Sequence, residues 1–178
     1  MNDMKIKTVE NIEEYLIHNS GYNTASKNLS CCNYEGYLCE ILTEDHSYFM
    51  KIIIDENINH VILQVYPGIR VKPQHYAKAV QYCMKVTDKL KVGNLRIKNK
   101  RGDVYYHISA PIVDAPVTAK QLESMEEIAI FTLLSHEEEL ERIANGLLEE
   151  NDSDAEGGDD TLDLIKLITD VDDEDFIP

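Results

Sequence analysis

Residues 47–55 and 60–66 alternate their side chains one for one, and only a short turn parts them. In the first run Tyr48, Met50, Ile52 and Ile54 point one way, and Phe49, Lys51, Ile53 and Asp55 the other. In the second, Val61, Leu63 and Val65 oppose Gln64 and Tyr66. A period of two with β-branched and aromatic content belongs to half-buried strands. Asp55-Glu56-Asn57 and Asn59 supply turn chemistry between them. So short a connection permits an antiparallel pair and excludes a parallel crossover. A further apolar run at 37–43 makes this a three-stranded meander.

Helical patterns flank the meander. Thr8 is a candidate cap for a helix over 8–19. Ile12 and Leu16 recur at i,i+4, Glu10, Glu13 and Glu14 come early, and Gly21 is a stop. Residues 22–36 show no period and read as irregular, with room for a short strand. After Pro67-Gly68, Pro73 fits the first position of a second helix. Its apolar stripe is Tyr76, Val80, Cys83, Val86 and Leu90, and Gly93 ends it. A hairpin follows: Leu95 and Ile97, a turn over 99–103, then Val104, Tyr106, Ile108 and Ala110, with His107 facing solvent. Thr118-Ala119-Lys120-Gln121 is a capping box, and Val117 and Leu122 have the spacing of a hydrophobic staple. Leu122, Met125, Ala129 and Leu133 continue a buried stripe toward Leu148, with a break expected near Ser135. The chain thus reads as an α+β domain over 1–148 in the order α-β-β-β-α-β-β-α, an antiparallel sheet with helices packed on it.

Charge divides the chain further. The net is −16. Residues 70–101 carry ten bases against one acid, Asp88, whereas residues 149–178 carry thirteen acids against one base, Lys166. The basic island includes Lys85, Lys89, Arg96, Lys98, Lys100 and Arg101. Composition from Glu149 to Asp160 is that of an acidic linker. An amphipathic piece follows at 161–171, where Leu164, Ile165, Ile168 and Val171 are candidates to meet a partner. Complementary charge leads us to expect this tail to fold back toward the island.

The sequence carries no recognised catalytic or zinc-site signature. No P-loop, dinucleotide-binding glycine pattern, nucleophile elbow or zinc-protease motif occurs. Ser135-His136-Glu137 are consecutive on a helix, so their side chains diverge. The six histidines are scattered, and Cys31, Cys32, Cys39 and Cys83 lack zinc spacing and read as structural thiols. Asp152, Asp154, Glu156 and Gly157, with Asp163 twelfth, match positions of a calcium loop. Asp159 falls where an apolar residue belongs, and Asp163 is short for the last ligand, so the stretch reads as solvated linker. No cofactor is expected. The N-terminus lacks the apolar segment of a signal peptide, and no apolar run approaches a membrane span, so the cytoplasm is the expected location.

The ordered elements resemble the YbjN family of bacterial sensory transduction regulators, whose fold is shared with the type III secretion chaperones. The residues that carry the likeness begin with Tyr48-Phe49-Met50-Lys51-Ile52-Ile53-Ile54-Asp55 and Val61-Ile62-Leu63-Gln64-Val65-Tyr66. The Pro73-led helix comes next, then Val92-Gly93-Asn94-Leu95-Arg96-Ile97 and Gly102-Asp103-Val104-Tyr105-Tyr106-His107. The capped helix from Thr118 closes the set. The likeness spans roughly 8–148. It implies homodimerisation and a chaperone-like or regulatory, non-catalytic role with a protein partner. The strongly basic 70–101 stretch and the tail depart from the family pattern. The alternative is a regulator that binds nucleic acid or another polyanion through the island. A net charge of −16 opposes it unless the island is segregated in space.

Overall fold

The computed structural model describes residues 2–18, 26–27, 35–43, 46–98 and 101–147. Several residues singled out above lie outside these: Gly21, Cys31, Cys32, Lys100, the acidic linker with Asp152, Asp154, Glu156 and Asp163, and the segment bearing Leu164, Ile165, Ile168 and Val171. In chain order the elements are α1 (Asn2–His18), β1 (Ser26–Lys27), β2 (Glu35–Leu42), β3 (Ser47–Asp55), β4 (His60–Tyr66), α2 (Tyr76–Thr87), β5 (Asn94–Ile97), β6 (Val104–Pro111) and α3 (Ala119–Asn145). The strands form one sheet in the order β1-β2-β3-β4-β6-β5, every neighbour antiparallel.

The alternation in β3 and β4 sets the sheet's two faces. Met50 opposes Cys39 on one side and Val65 on the other; Ile52 opposes Tyr37 and Leu63. β6 extends the inner face, with Ile108 opposite Leu63 and Tyr106 opposite Val65 and Leu95. These inner residues are all buried. Each fully buried aliphatic side chain contributes roughly 1.5–3 kcal/mol. The helices cover this face. From the sheet, Tyr37 donates to Glu13 of α1 at 3.1 Å and Tyr48 to Glu137 of α3 at 3.3 Å.

Helix α1 starts six residues before the expected cap. Thr8 lies inside it, fully buried. Its hydroxyl donates to the Met4 carbonyl at 2.8 Å and accepts the Val117 N–H at 3.2 Å. That N–H comes from the chain entering α3, so Thr8 joins two helices rather than beginning one. Asn11 adds a bond to the Val117 carbonyl at 2.8 Å.

In α2 the buried residues are Ala79, Cys83 and Val86, while Tyr76 and Val80 are half-buried. Ala79 replaces the bulkier neighbours expected there because a small side chain lets the helix approach the core. The helix ends at Thr87, short of Leu90. The Thr87 hydroxyl there turns to β5, accepting the Leu95 N–H at 3.0 Å.

Helix α3 is unbroken over its 27 residues. Ser135, the expected break, spends its hydroxyl on the Phe131 carbonyl at 2.8 Å and stays within the helix. The capping box at Thr118 and Gln121 is formed, and Gly146 closes the helix in the left-handed conformation at φ 74°. β5 spans only Val104–His107 of β6. The remainder of β6 therefore runs on past its neighbour toward Pro111.

Candidate functional site

The opposite face of the sheet has, among the described residues, no helix packed on it. Strand register places its side chains in rows. Glu40 opposes Phe49, Phe49 opposes Tyr66, and Arg96 opposes Tyr105. The Tyr66 and Tyr105 rings stack across β4 and β6 with centroids 5.3 Å apart and an interplanar angle of 21°. One row therefore crosses four strands as Phe49, Tyr66, Tyr105 and Arg96, of which Phe49 and Arg96 are exposed, Tyr66 is half-buried and Tyr105 is buried. The next row is Leu38, Lys51, Gln64, His107 and Asn94, and beyond it Ile53 pairs with Ile62.

Two cations stand over the aromatic row. The Lys51 and Lys98 ammonium groups are each 5.5 Å from the centroid of the Tyr66 ring. Each contact is worth roughly 0.5–1 kcal/mol at an exposed site. Arg96 donates from Nε to Asn94 Oδ1 at 2.5 Å, and Arg70 to Asp103 at 2.9 Å. Phe49 is 48% exposed, unusual for a ring in the middle of a sheet face. The face is thus apolar and aromatic with a cationic side, in a chain whose net charge is −16.

Hydrogen bonds fix the polar members. The Tyr66 hydroxyl donates to Gln64 Oε1 at 2.7 Å, and Gln64 Nε2 lies 3.5 Å from His107 Nδ1. Burial pushes the Tyr66 hydroxyl above its usual range, so it stays a donor. His107, expected on the exposed side, is half-buried on this face because Gln64 and Asn94 flank it. Burial, then the Arg96 charge, pull its pKa down to about 4. It is neutral at neutral pH, and its Nδ1 can accept from Gln64. The unfolded chain takes up this proton at higher pH, so His107 stabilises the fold fully above pH 6.5 and less as pH falls toward 4.

The basic island is divided by the fold. Arg96 and Lys98 belong to the open face, and Arg101 lies in the turn beside it. Lys85 and Lys89 are exposed on and just after α2, in the helical layer behind the sheet; the Lys89 charge acts there on His136 of α3. Lys51 lies outside the basic island, and alternation along its strand puts it beside Phe49 and opposite the core.

The chemistry sought in the sequence is not assembled among the described residues. Of Ser135, His136 and Glu137, the first bonds to its own helix. His136 meets the Tyr82 hydroxyl at 2.9 Å, and Glu137 meets Tyr48 and His46, each at 3.3 Å. Cys39 and Cys83 are buried thiols whose pKa is pushed up to about 12, so they are protonated and poor nucleophiles. Among the described residues, no three His, Cys, Asp or Glu side chains gather to hold a metal ion. Among the described residues, no helix is long and apolar enough to cross a membrane.

No protein-family model and no curated protein matches the chain. Solved structures do. YbjN from E. coli is 14% identical, covering 74% of this chain and 93% of that one, with a TM-score of 0.46. A chain of the ExsC–ExsE complex is 11% identical, covering 61% of this chain and 76% of that one, with a TM-score of 0.34. These likenesses concern the arrangement of the backbone and assign no residue a role.

Proposed function

We propose that this chain is a non-catalytic, chaperone-like or regulatory module of the cytoplasm that binds an acidic, partly apolar segment of another protein on the open face of its sheet. The observation that supports this is the exposed Phe49 and Arg96 and the half-buried Tyr66 in one row, with Lys51 and Lys98 at the Tyr66 ring, on a face that no described helix covers. Aromatic and aliphatic surface supplies burial, and the cations select acidic over basic segments. The polyanion reading has less support, because Lys85 and Lys89 stand in the layer behind Arg96 and Lys98 and do not extend one continuous track.

A synthetic acidic–apolar peptide and a single-stranded oligonucleotide of equal charge distinguish the two. The peptide is expected to bind at low salt, and the double variant Phe49→Ala/Lys98→Glu to weaken it by roughly tenfold or more, about 1.4 kcal/mol. Circular dichroism should show both proteins folded. Peptide affinity unchanged in the double variant, or tighter binding of the oligonucleotide, counts against this function.

Homodimerisation belongs to the same reading. Phe131, 74% exposed, forms a stripe with Ile128 and Leu134 on the solvent side of α3, and a second copy would cover it. Light scattering at micromolar concentration is expected to give twice the 20.3 kDa chain mass. A single-chain mass across that range rules the dimer out.

A further inference from the structure

The apolar stripe on α3 and a groove beside it complete one another only across two molecules. We infer that two copies of this chain pair antiparallel along α3, each seating its Phe131 in the groove that the other's Val92, Met125 and Ile128 line. This rests on the dimer proposed above, and it adds the seam, its direction and the residue that each copy lends the other.

The groove lies between the first half of α3 and the end of β6. Buried Ile108 and Met125, half-buried Ala110 and exposed Val92 and Ile128 give it an apolar lining, and Lys120 adds a charge. Its volume is about 450 Å³. A cavity of roughly 150 Å³ already holds a benzene ring. Phe131 follows Ile128 by one turn of α3, is 74% exposed and is not among the residues that line the groove. Each molecule thus carries a knob and a hole but does not fill one with the other.

The helix face is spaced to receive another helix. Ser124, Ile128, Phe131, Ser135, Glu138 and Arg142 follow one another in alternate steps of four and three, the spacing of a two-helix seam, and all six are exposed. Direction follows from what each arrangement brings together. In a parallel pair every residue meets its own copy, so Lys120 faces Lys120, Glu138 faces Glu138 and the groove stays empty. An antiparallel pair with its twofold axis between Ile128 and Phe131 sets Phe131 of the partner subunit against Ile128, at the groove. The same register sets Ser124 against Ser135 of the partner subunit, and Lys120 beside Glu141 of the partner subunit. Both charges are exposed, and neither has an ion-pair partner among the described residues. Twofold symmetry makes each of these contacts twice. The rings supply apolar burial, and the Lys120–Glu141 pairs select the direction.

Sedimentation equilibrium of the full-length chain measures the dimer dissociation constant. Phe131→Asp should raise it by roughly a hundredfold, because both grooves lose their ring and gain a charge. Lys120→Glu and Glu141→Lys should each raise it roughly threefold to tenfold, and the two combined in one chain should return it toward the wild-type value. These positions are exposed, so circular dichroism should show every variant folded. A dimer that Phe131→Asp leaves intact, or charge reversals that do not compensate, overturns the seam and leaves the dimer standing. A wild-type monomer overturns both. Cross-linking reads the direction: Ser124→Cys/Ser135→Cys should give a covalent dimer on mild oxidation, beyond any given by the wild type, and neither single variant should. A covalent dimer from a single variant marks a parallel seam and overturns the antiparallel one, as does none from the double variant.

Discussion

Replacing Gly102 with alanine is expected to destabilise the protein by about 2–4 kcal/mol, a loss typical of a residue forced into the wrong backbone region against a fixed neighbour. Gly102 has φ 71°, and an added Cβ would stand 2.2 Å from the Val71 carbonyl oxygen. Neither backbone can retreat freely. Val71 donates to the Gly102 carbonyl at 2.8 Å, and Gly102 donates to the Lys98 carbonyl at 2.7 Å. Relief requires the β5–β6 turn to swing away, which moves Lys98 off the open face. Gly68 is the control. Its φ is 80°, yet nothing lies within 4 Å of its added Cβ, so Gly68→Ala should cost only about 1 kcal/mol, the conformational part. Urea denaturation of both variants measures this. Equal losses at the two glycines would show that the approach to Val71 is not what constrains Gly102.

The second large effect is expected at Tyr106. This ring is fully buried, its hydroxyl donates to the Val92 carbonyl, and it fills the space over Gly93, where a Cβ would sit 2.4 Å from the hydroxyl oxygen. It thereby fastens the entry to β5, the strand that carries Arg96, to the middle of the sheet. Tyr106→Ala should destabilise by about 3–5 kcal/mol, as for other large aromatic truncations, and Tyr106→Phe by about 0.5–1.5 kcal/mol. If phenylalanine proves as damaging as alanine, the hydrogen bond to Val92 and not the ring holds β5 in place.

The parts of the fold that could be read in the sequence were those written locally. The alternation of 47–55 and 60–66, the capping box at Thr118 and the stripe Leu122, Met125, Ala129 and Leu133 each involve residues a few positions apart. Thr8 differs from the expected cap because a threonine ahead of an apolar pattern has a cap's chemistry wherever the helix begins. The two bonds that place it inside a helix depend on Met4 and on Val117, 109 residues away. The open face was half legible. Alternation opposed Phe49, Lys51, Gln64 and Tyr66 to the core, but only the pairing of β4 with β6 brings Tyr105 against Tyr66 and Arg96 into their row. That pairing joins strands separated by α2 and β5, and no short-range pattern encodes it. The same non-local geometry divides the basic residues between two layers, which a count along the chain cannot do.

The unequal lengths of β5 and β6 bear on how safely such a protein can be stored at high concentration. An unpaired strand edge is a template on which further chains can add, the first step of fibril growth. Past Asn94, only Ile108–Ala110 present such an edge on β6, because Pro111 has no N–H and Ile112 spends its own on Asn59 at 2.7 Å. At the other side the sheet finishes in β1, two residues long. Three residues span about 10 Å, too little for a stable added strand. Among the described residues the margins of the sheet are thus short runs, four residues of β5, three of β6 and Cys39–Leu42 of β2 beyond β1, each below the usual length of a strand.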